Sequence, residues 1–195
     1  DVASRPDLDV YGLRPFLSCK YLFDYRGDGK SGSLNSFVDE NGNTRMPGWK
    51  YLRTQNRFDI YRNEYYIPMG YTFDKFIAEE EFDLVTNAHK SEALLYAMVL
   101  PRDLMKKYSD ITGYSDEKYK LLYGKHPEDY DSITEKFDYS NSDYKKVCNL
   151  RALNSCTSFE YTDNGFKAVY NNKKGDDNLL FFSVPYSDGF TATVN

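Results

Sequence analysis

The pattern of hydrophobic and polar positions divides the chain into two extended regions separated by a helical one. In the N-terminal region, apolar and aromatic residues recur in short runs of strand-like composition, and polar residues 54–57 separate two runs as in a hairpin. Residues 24–48 are instead rich in Gly, Ser, Asn and Asp, which predicts a long polar loop. The strands predicted in this region are Cys19–Phe23, Trp49–Leu52, Phe58–Tyr61 and Tyr65–Phe73.

A helical period replaces this pattern in the middle of the chain. Its clearest helix is predicted to begin at a cap provided by Asn87 or Ser91 and to run to about Val99, because Pro101 stops it. The other predicted helices are Val10–Ser18 near the start of the chain and Ala78–Val85, Leu104–Tyr108, Ser115–Tyr123 and Ser142–Asn154 in the middle.

The extended pattern returns from Thr157 onwards. Asp163-Asn164-Gly165 has the composition of a tight hairpin turn and separates two short aromatic runs. Because the chain stops inside the last alternating run, we expect it to be a piece of a longer protein whose sheet continues beyond this edge. The predicted strands are Phe159–Tyr161, Phe166–Tyr170, Leu179–Val184, covered on both faces, and Phe190–Val194.

This order of segments predicts an α+β fold, in which a helical insert interrupts an antiparallel β-sheet or a partial β-sandwich. The insert comprises residues 77–156. It follows a β-rich part, residues 1–76, which includes the polar loop 24–48, and it precedes the antiparallel strands of a truncated β-sandwich, residues 157–195. A chain of 195 residues can bury one sizeable core, so we expect one compact unit.

Charge and cysteine content exclude some classes of protein. The net charge of -5 and the pI of about 5.1 argue against a nucleic-acid partner, because binding phosphates needs clustered Lys and Arg. No apolar stretch approaches the roughly 18 residues of a membrane span, so we expect no membrane insertion by this chain itself. Three cysteines are too few for a disulfide framework, and the pair Cys148 and Cys156 is compatible with a bridge or with two buried thiols.

Motifs for catalysis or metal binding all lack a required residue. The loop around Asp28-Gly29-Lys30 fails both the phosphate-binding pattern and the calcium-binding pattern at key positions. His89 and His126, the two histidines, show no metal-ligand spacing, and the acidic run Glu79–Glu81 fits the first turn of a helix. We therefore predict no catalytic residue, no metal and no cofactor.

Aromatic residues are the one unusual feature of the composition. They make up 17% of the chain, with 19 Tyr, and aromatic side chains suit both sugar stacking and strand packing. Trp49, Tyr186 and Phe190 are the candidates for glycan stacking, since Trp49 opens a strand and Tyr186 lies in a predicted turn. Core or strand-edge packing is the alternative for each.

Short stretches along most of the chain together match the pattern of a known family. They are Ser18–Leu22, Tyr61–Asn63, Ile67–Asp74, Ser91–Leu95, Phe181–Tyr186, Asp188–Phe190 and Ala192–Asn195. These stretches resemble the extracytoplasmic C-terminal segment of YfhO-like bacterial membrane proteins, in which a strand ends in a Pro-Tyr turn, Gly-Trp or Gly-Phe follows, and a further strand leads into Asn-Gly or Asp-Gly. The stretches come in the family's order, although residues 101–144 have no counterpart in its pattern.

The resemblance implies a multi-pass parent similar to lipid-linked-sugar glycosyltransferases of the GT-C type, which are implicated in glycosylating lipoteichoic acid or related polymers. This chain would lie on the extracytoplasmic face of the bacterial cell membrane, with an accessory role and no catalysis by itself. The family's catalytic acidic residues belong to the N-terminal half, so none is carried over here. The expected partners are a cell-envelope glycan or polymer and the rest of the membrane-spanning chain.

Two other functions remain open from the sequence. The first is a stand-alone carbohydrate-binding module that uses its aromatic residues as stacking platforms. The second is a scaffold for protein–protein contacts, with the Tyr-rich region 102–144 as its surface.

Overall fold

The computed structural model describes residues 8–26, 37–109, 137, 140–171 and 179–194. Over these residues it contains five helices and nine strands, mostly in small antiparallel sheets. This confirms the predicted α+β fold. The strands do not form one large sheet, however, but one three-stranded sheet and three pairs.

The three-stranded sheet is the largest β element among the described residues. Its strands are β1 (Tyr21–Tyr25), β2 (Trp49–Gln55) and β3 (Phe58–Asn63), arranged antiparallel in the order β1-β3-β2. The predicted hairpin between β2 and β3 is confirmed, and it turns at Asn56 and Arg57, whose φ angles are 49° and 65°. A β-bulge in β2 between Tyr51 and Arg53 shifts the register by one residue.

The remaining strands form pairs. β4 (Tyr71–Phe73) is antiparallel to β9 (Leu179–Phe181), so the predicted N-terminal and C-terminal β regions are joined. β5 (Phe76–Ala78) is parallel to β6 (Met98–Leu100). β7 (Ser158–Thr162) and β8 (Gly165–Val169) form the predicted hairpin.

The described helices are short apart from the last. They are α1 (Leu13–Phe16), α2 (Glu79–Leu84), α3 (Lys90–Tyr96), α4 (Arg102–Lys107) and α5 (Asn141–Leu153). Ser140 caps α5, because its hydroxyl accepts a hydrogen bond from the Asp143 N–H. The helix predicted at Ser115–Tyr123 lies outside the described residues.

The predicted helix ending near Val99 is wrong at both ends. Neither Asn87 nor Ser91 caps α3, and the Ser91 hydroxyl donates instead to the Glu92 carboxylate. The helix ends at Tyr96, because the next residues leave it to form β6 beside β5. An apolar run of this length is compatible with a helix or with a strand, and here its pairing with β5 makes it a strand.

Three predicted strands are shorter than expected or absent. Only residues 71–73 of the segment Tyr65–Phe73 form a strand, because Gly70 interrupts it with a φ of 74°. β9 has three residues, and the Leu180 side chain is 40% exposed, so the prediction of a strand covered on both faces is wrong. Residues 190–194 form no strand, and Phe190 is part of a turn in which its N–H bonds to the Ser187 carbonyl.

Buried side chains form three clusters. One lies beside the three-stranded sheet, and the other two lie between the short helices and the paired strands. The cluster around Tyr71 contains residues from the N-terminal β region, the helical insert and the C-terminal β region, since Leu95 and Phe181 pack there as well. The clusters are Phe37, Met46, Trp49 and Tyr61; Ile67, Tyr71, Phe73, Leu95, Tyr144 and Cys148; and Phe76, Ile77, Ala78, Val85, Ala93, Ala97, Met105 and Phe137.

Candidate functional site

The structure buries Trp49, the first of the three residues predicted for glycan stacking. Its side chain is 4% exposed and packs edge-on against Phe37, with 5.8 Å between the ring centroids. An indole in this position cannot stack on a sugar from solvent, so the proposed role of Trp49 is wrong. The prediction failed because Phe37 and Met46, which cover this face of β2, lie in residues 24–48, which were predicted to form a polar loop.

Tyr186 and Phe190 are accessible but do not form a row. Tyr186 is 84% exposed, whereas Phe190 is 46% exposed and lies 6.4 Å from the Phe166 ring. Both belong to a segment without regular secondary structure after β9. Each therefore remains a candidate for an isolated contact with a glycan, without a neighbouring ring in register.

A row of three aromatic rings lies instead on β1. Tyr21, Phe23 and Tyr25 are 46%, 53% and 44% exposed, and the residues between them point to the opposite face of the strand. Alternate residues of a strand lie about 7 Å apart, so the three rings form a linear platform. We call this side of the three-stranded sheet the aromatic face.

The register of the sheet determines what lies beside each ring. Directly opposed residues of neighbouring strands share a face. Arg62 and Lys50 continue the row of Tyr21, whereas Ile60 and Arg53 continue the row of Phe23. Phe58 and Gln55 continue the row of Tyr25.

The aromatic face therefore has a basic flank formed by Lys50, Arg53 and Arg62. All three residues are exposed. Glu64, just after β3, supplies a carboxylate at 3.0 Å from Lys50 Nζ and 4.0 Å from an Arg62 guanidinium nitrogen. Within the described part of the chain, Arg53 has no ion-pair partner. Among the described residues, the flank carries three cations against one nearby carboxylate, whereas the whole chain has a net charge of -5.

This face was not predicted, although the sequence contains a signal for it. Tyr21-Leu22-Phe23-Asp24-Tyr25 alternates aromatic residues with other types, which is the pattern of a strand with one aromatic face. The predicted strand ended at Phe23, because residues 24–48 were assigned to the polar loop. β1 extends two residues further, and the third ring of the row lies in that extension.

The opposite face of the same sheet contains a pair of buried carboxyl groups. Asp24 and Asp59 are directly opposed in the register. Asp59 accepts hydrogen bonds from the Arg26 guanidinium at 2.7 Å and from the Thr54 hydroxyl. Burial would raise the pKa of Asp59, but these two hydrogen bonds outweigh it and lower the pKa below its ordinary value. Asp59 is thus an ionised structural partner of Arg26 and is unsuited to donate a proton at neutral pH.

A polar cavity lies between the start of the described chain and α3. Its volume is about 350 Å³, and His89 and Glu92 line one side of it. Small-molecule sites are mostly apolar with a few convergent polar groups, whereas charged residues form much of this wall. The lining residues are Leu8, Asp9, Tyr11, Arg45, Ala88, His89 and Glu92.

The described residues offer little for other chemistry. They contain no group of three or more His, Cys, Asp or Glu side chains positioned to hold a metal ion. None of the helices in the described ranges is both long and apolar enough to cross a bilayer. Cys148 and Cys156 are free thiols rather than a bridge, and burial raises the pKa of Cys148 to about 12, which makes it unreactive at neutral pH.

The fold and the exposed side chains define a small α+β protein whose three-stranded sheet has an exposed aromatic face. Comparison of the chain with protein-family models, curated proteins and solved structures finds no match.

Proposed function

We propose that this chain is a non-catalytic glycan-binding region of a YfhO-like membrane protein, located on the extracytoplasmic side of the bacterial membrane. It would contact a cell-envelope glycan or polymer and present it to the membrane-embedded part of its own chain. The observation that carries the proposal is the row of Tyr21, Phe23 and Tyr25 on one exposed face.

The aromatic face suits a sugar polymer for physical reasons. One side of a pyranose ring exposes C–H groups, which pack well against the electron-rich face of an aromatic ring. A rigid strand fixes the spacing of the rings, so a chain of sugars can contact several of them without ordering a loop. Tyr21 and Tyr25 also have hydroxyl groups that can hydrogen-bond to sugar hydroxyls.

Affinity electrophoresis of the purified chain through gels containing individual envelope polymers and neutral polysaccharides tests the proposal. We expect at least one glycan to retard the protein, and Phe23→Ala to weaken that retardation about tenfold, as for the loss of a central contact residue. Tyr161→Ala is the matched control, because Tyr161 is a highly exposed aromatic residue on the separate β7–β8 hairpin.

Each possible outcome bears on the proposal. Retention of full binding by Phe23→Ala, or no retardation by any glycan, would overturn it. Loss of binding in Tyr186→Ala but not in Phe23→Ala would move the site to the segment after β9. Sugar transfer by this chain alone would contradict the non-catalytic role.

The open reading frame that encodes this chain tests the proposed parent. Hydrophobic spans of roughly 20 residues each, repeated many times upstream of Asp1, would support a multi-pass membrane protein. A secretory signal alone would favour the stand-alone carbohydrate-binding module. The scaffold alternative rests on residues 102–144, most of which lie outside the described residues.

A further inference from the structure

The basic flank of the aromatic face indicates which class of glycan would bind. We infer that the ligand is an acidic polysaccharide whose sugar rings carry carboxylate groups, bound along the strands of the three-stranded sheet. This inference rests on the proposed function and adds the charge of the ligand to it.

The register places rings and cations side by side. In one row, Tyr21 on β1 lies across β3 from Lys50 on β2, with Arg62 between them. In the next row, Phe23 lies across from Arg53. A polymer lying along the strands would therefore have an aromatic ring on one side and a cation on the other at both rows. A neutral glycan would use the rings but leave the cations without a ligand partner.

The bulge in β2 is what brings Arg53 into this arrangement. In a strand without a bulge, the pairing of Tyr51 with Tyr61 would place Leu52 opposite Ile60 and Arg53 opposite Asp59, on the other face of the sheet. With the bulge, Arg53 is opposed to Ile60, in the row of Phe23. The position of this cation beside the central ring is thus a feature of the backbone.

The face already holds a carboxylate of its own. Glu64 Oε1 lies 3.0 Å from Lys50 Nζ, so this flank accommodates a carboxylate group between its side chains. Arg53 has no such partner among the described residues, and its planar guanidinium matches a carboxylate in a two-pronged hydrogen bond. A carboxylate on a bound sugar would pair with Arg53. The positive charge near the aromatic face would thus attract an acidic sugar even though the chain as a whole is negatively charged.

Two polymers that differ only in charge test the inference. Polygalacturonate carries one carboxylate per ring, and its methyl ester has the same rings without the charge. We expect the intact protein to bind polygalacturonate at least about tenfold more tightly than the ester in low salt, and the difference to shrink as salt rises from roughly 0.02 to 0.3 M. Arg53→Ala should weaken polygalacturonate binding about two- to fivefold and leave ester binding unchanged.

Lys167→Ala provides the matched control, because it removes the same charge from an exposed position on β8, away from the aromatic face. Thermal melting of each variant checks that it is folded.

Equal binding of both polymers, or no effect of Arg53→Ala, would overturn the inference while leaving the proposed function intact. No binding to any glycan would overturn both. Tighter binding to a polyol phosphate or to single-stranded DNA than to polygalacturonate would also overturn the carboxylate assignment.

Discussion

Arg151 connects three elements through a side chain that is 1% exposed. Its guanidinium donates hydrogen bonds to the backbone carbonyls of Leu95 and Thr72, each at 2.9 Å, and to that of Tyr96 at 2.6 Å. It also lies 3.3 Å from the Asp74 carboxylate and stacks on the Phe73 ring at 4.3 Å. These contacts join α5 to the end of α3 and to β4, where the carbonyls would otherwise be buried without donors.

Replacement of Arg151 by Met should therefore destabilise the protein strongly. The substitution keeps an unbranched side chain but removes every donor, so we expect the free energy of unfolding to fall by about 3–5 kcal/mol. Urea denaturation followed by circular dichroism measures the change. Lys145→Met on the exposed side of α5 removes the same charge and should change stability by less than about 0.5 kcal/mol; an equal loss in both variants would contradict this role of Arg151.

Asp59 and Asp74 make stability depend on pH in the acid range. Burial would raise the pKa of each carboxyl group, but hydrogen bonds from Arg26 and Thr54 to Asp59, and from Lys75 to Asp74, outweigh it and lower both pKa values. A carboxyl group of this kind stabilises the fold fully above its unfolded pKa of about 3.9, and the contribution is lost as pH falls through its lower folded pKa. We expect the free energy of unfolding to be constant above about pH 5 and to decrease below about pH 4.

Urea titrations at a series of pH values between neutrality and acid check this dependence. Asp74→Asn should be less stable at neutral pH and should show a shallower decrease in acid, because one of the contributing groups is absent. Asp163→Asn, in the exposed turn between β7 and β8, should retain the steep decrease. A steep decrease in Asp74→Asn equal to that of the unmodified protein would show that other groups cause the acid sensitivity.

At the scale of elements, Gly70 decides where β4 begins. Its φ of 74° lies in the left-handed region, and a Cβ there would lie 2.6 Å from both Cys156 Sγ and the Phe182 ring. Its carbonyl also accepts a hydrogen bond from the Cys156 N–H. Position 70 therefore favours glycine for two reasons: its backbone is left-handed, and Cys156 and Phe182 pack closely against it.

Gly70→Ala should cost both the backbone strain and the steric clash, together about 2–4 kcal/mol in the free energy of unfolding. Gly42→Ala separates the two effects, because Gly42 has a φ of 78° with no atom within 4 Å of an added Cβ. It should cost only about 1–2 kcal/mol. Denaturant titration compares the two variants, and equal losses would mean that the contacts of Gly70 add nothing to its backbone requirement.

The elements that sequence predicts well are those whose pairing is local. The hairpins β2–β3 and β7–β8 join neighbouring runs through short polar turns, so composition and period suffice to identify them. Met98 and Val99 were assigned to a helix because nothing nearby in the chain reveals that their strand partner, Phe76–Ala78, lies across α2 and α3. Trp49 was expected to be accessible because Phe37 and Met46, which pack on it, belong to residues 24–48, and the composition of that segment predicts a polar loop.

At the scale of the whole molecule, the net charge does not show that the charged side chains are unevenly distributed over the surface. A pI of about 5.1 argues against a nucleic-acid partner, yet Lys50, Arg53 and Arg62 lie together on one face. These residues come from two strands, and their alignment with the rings of β1 depends on a bulge and on strand register. Composition and motif spacing reveal neither the bulge nor the register. The aromatic face and its basic flank could therefore be identified only once the strands were paired.

The pairing of β4 with β9 has a kinetic consequence. Tyr71 and Phe181 are register partners 110 positions apart in the chain, and both rings pack in the cluster that also holds Leu95 and Tyr144. Closing so long a loop costs chain entropy before its contacts are gained, and contacts of this range slow folding. During synthesis, the ribosome must pass Phe181 before this cluster can close. Until then the half-built core exposes apolar surface, which is the interval in which aggregation or assistance by chaperones would act.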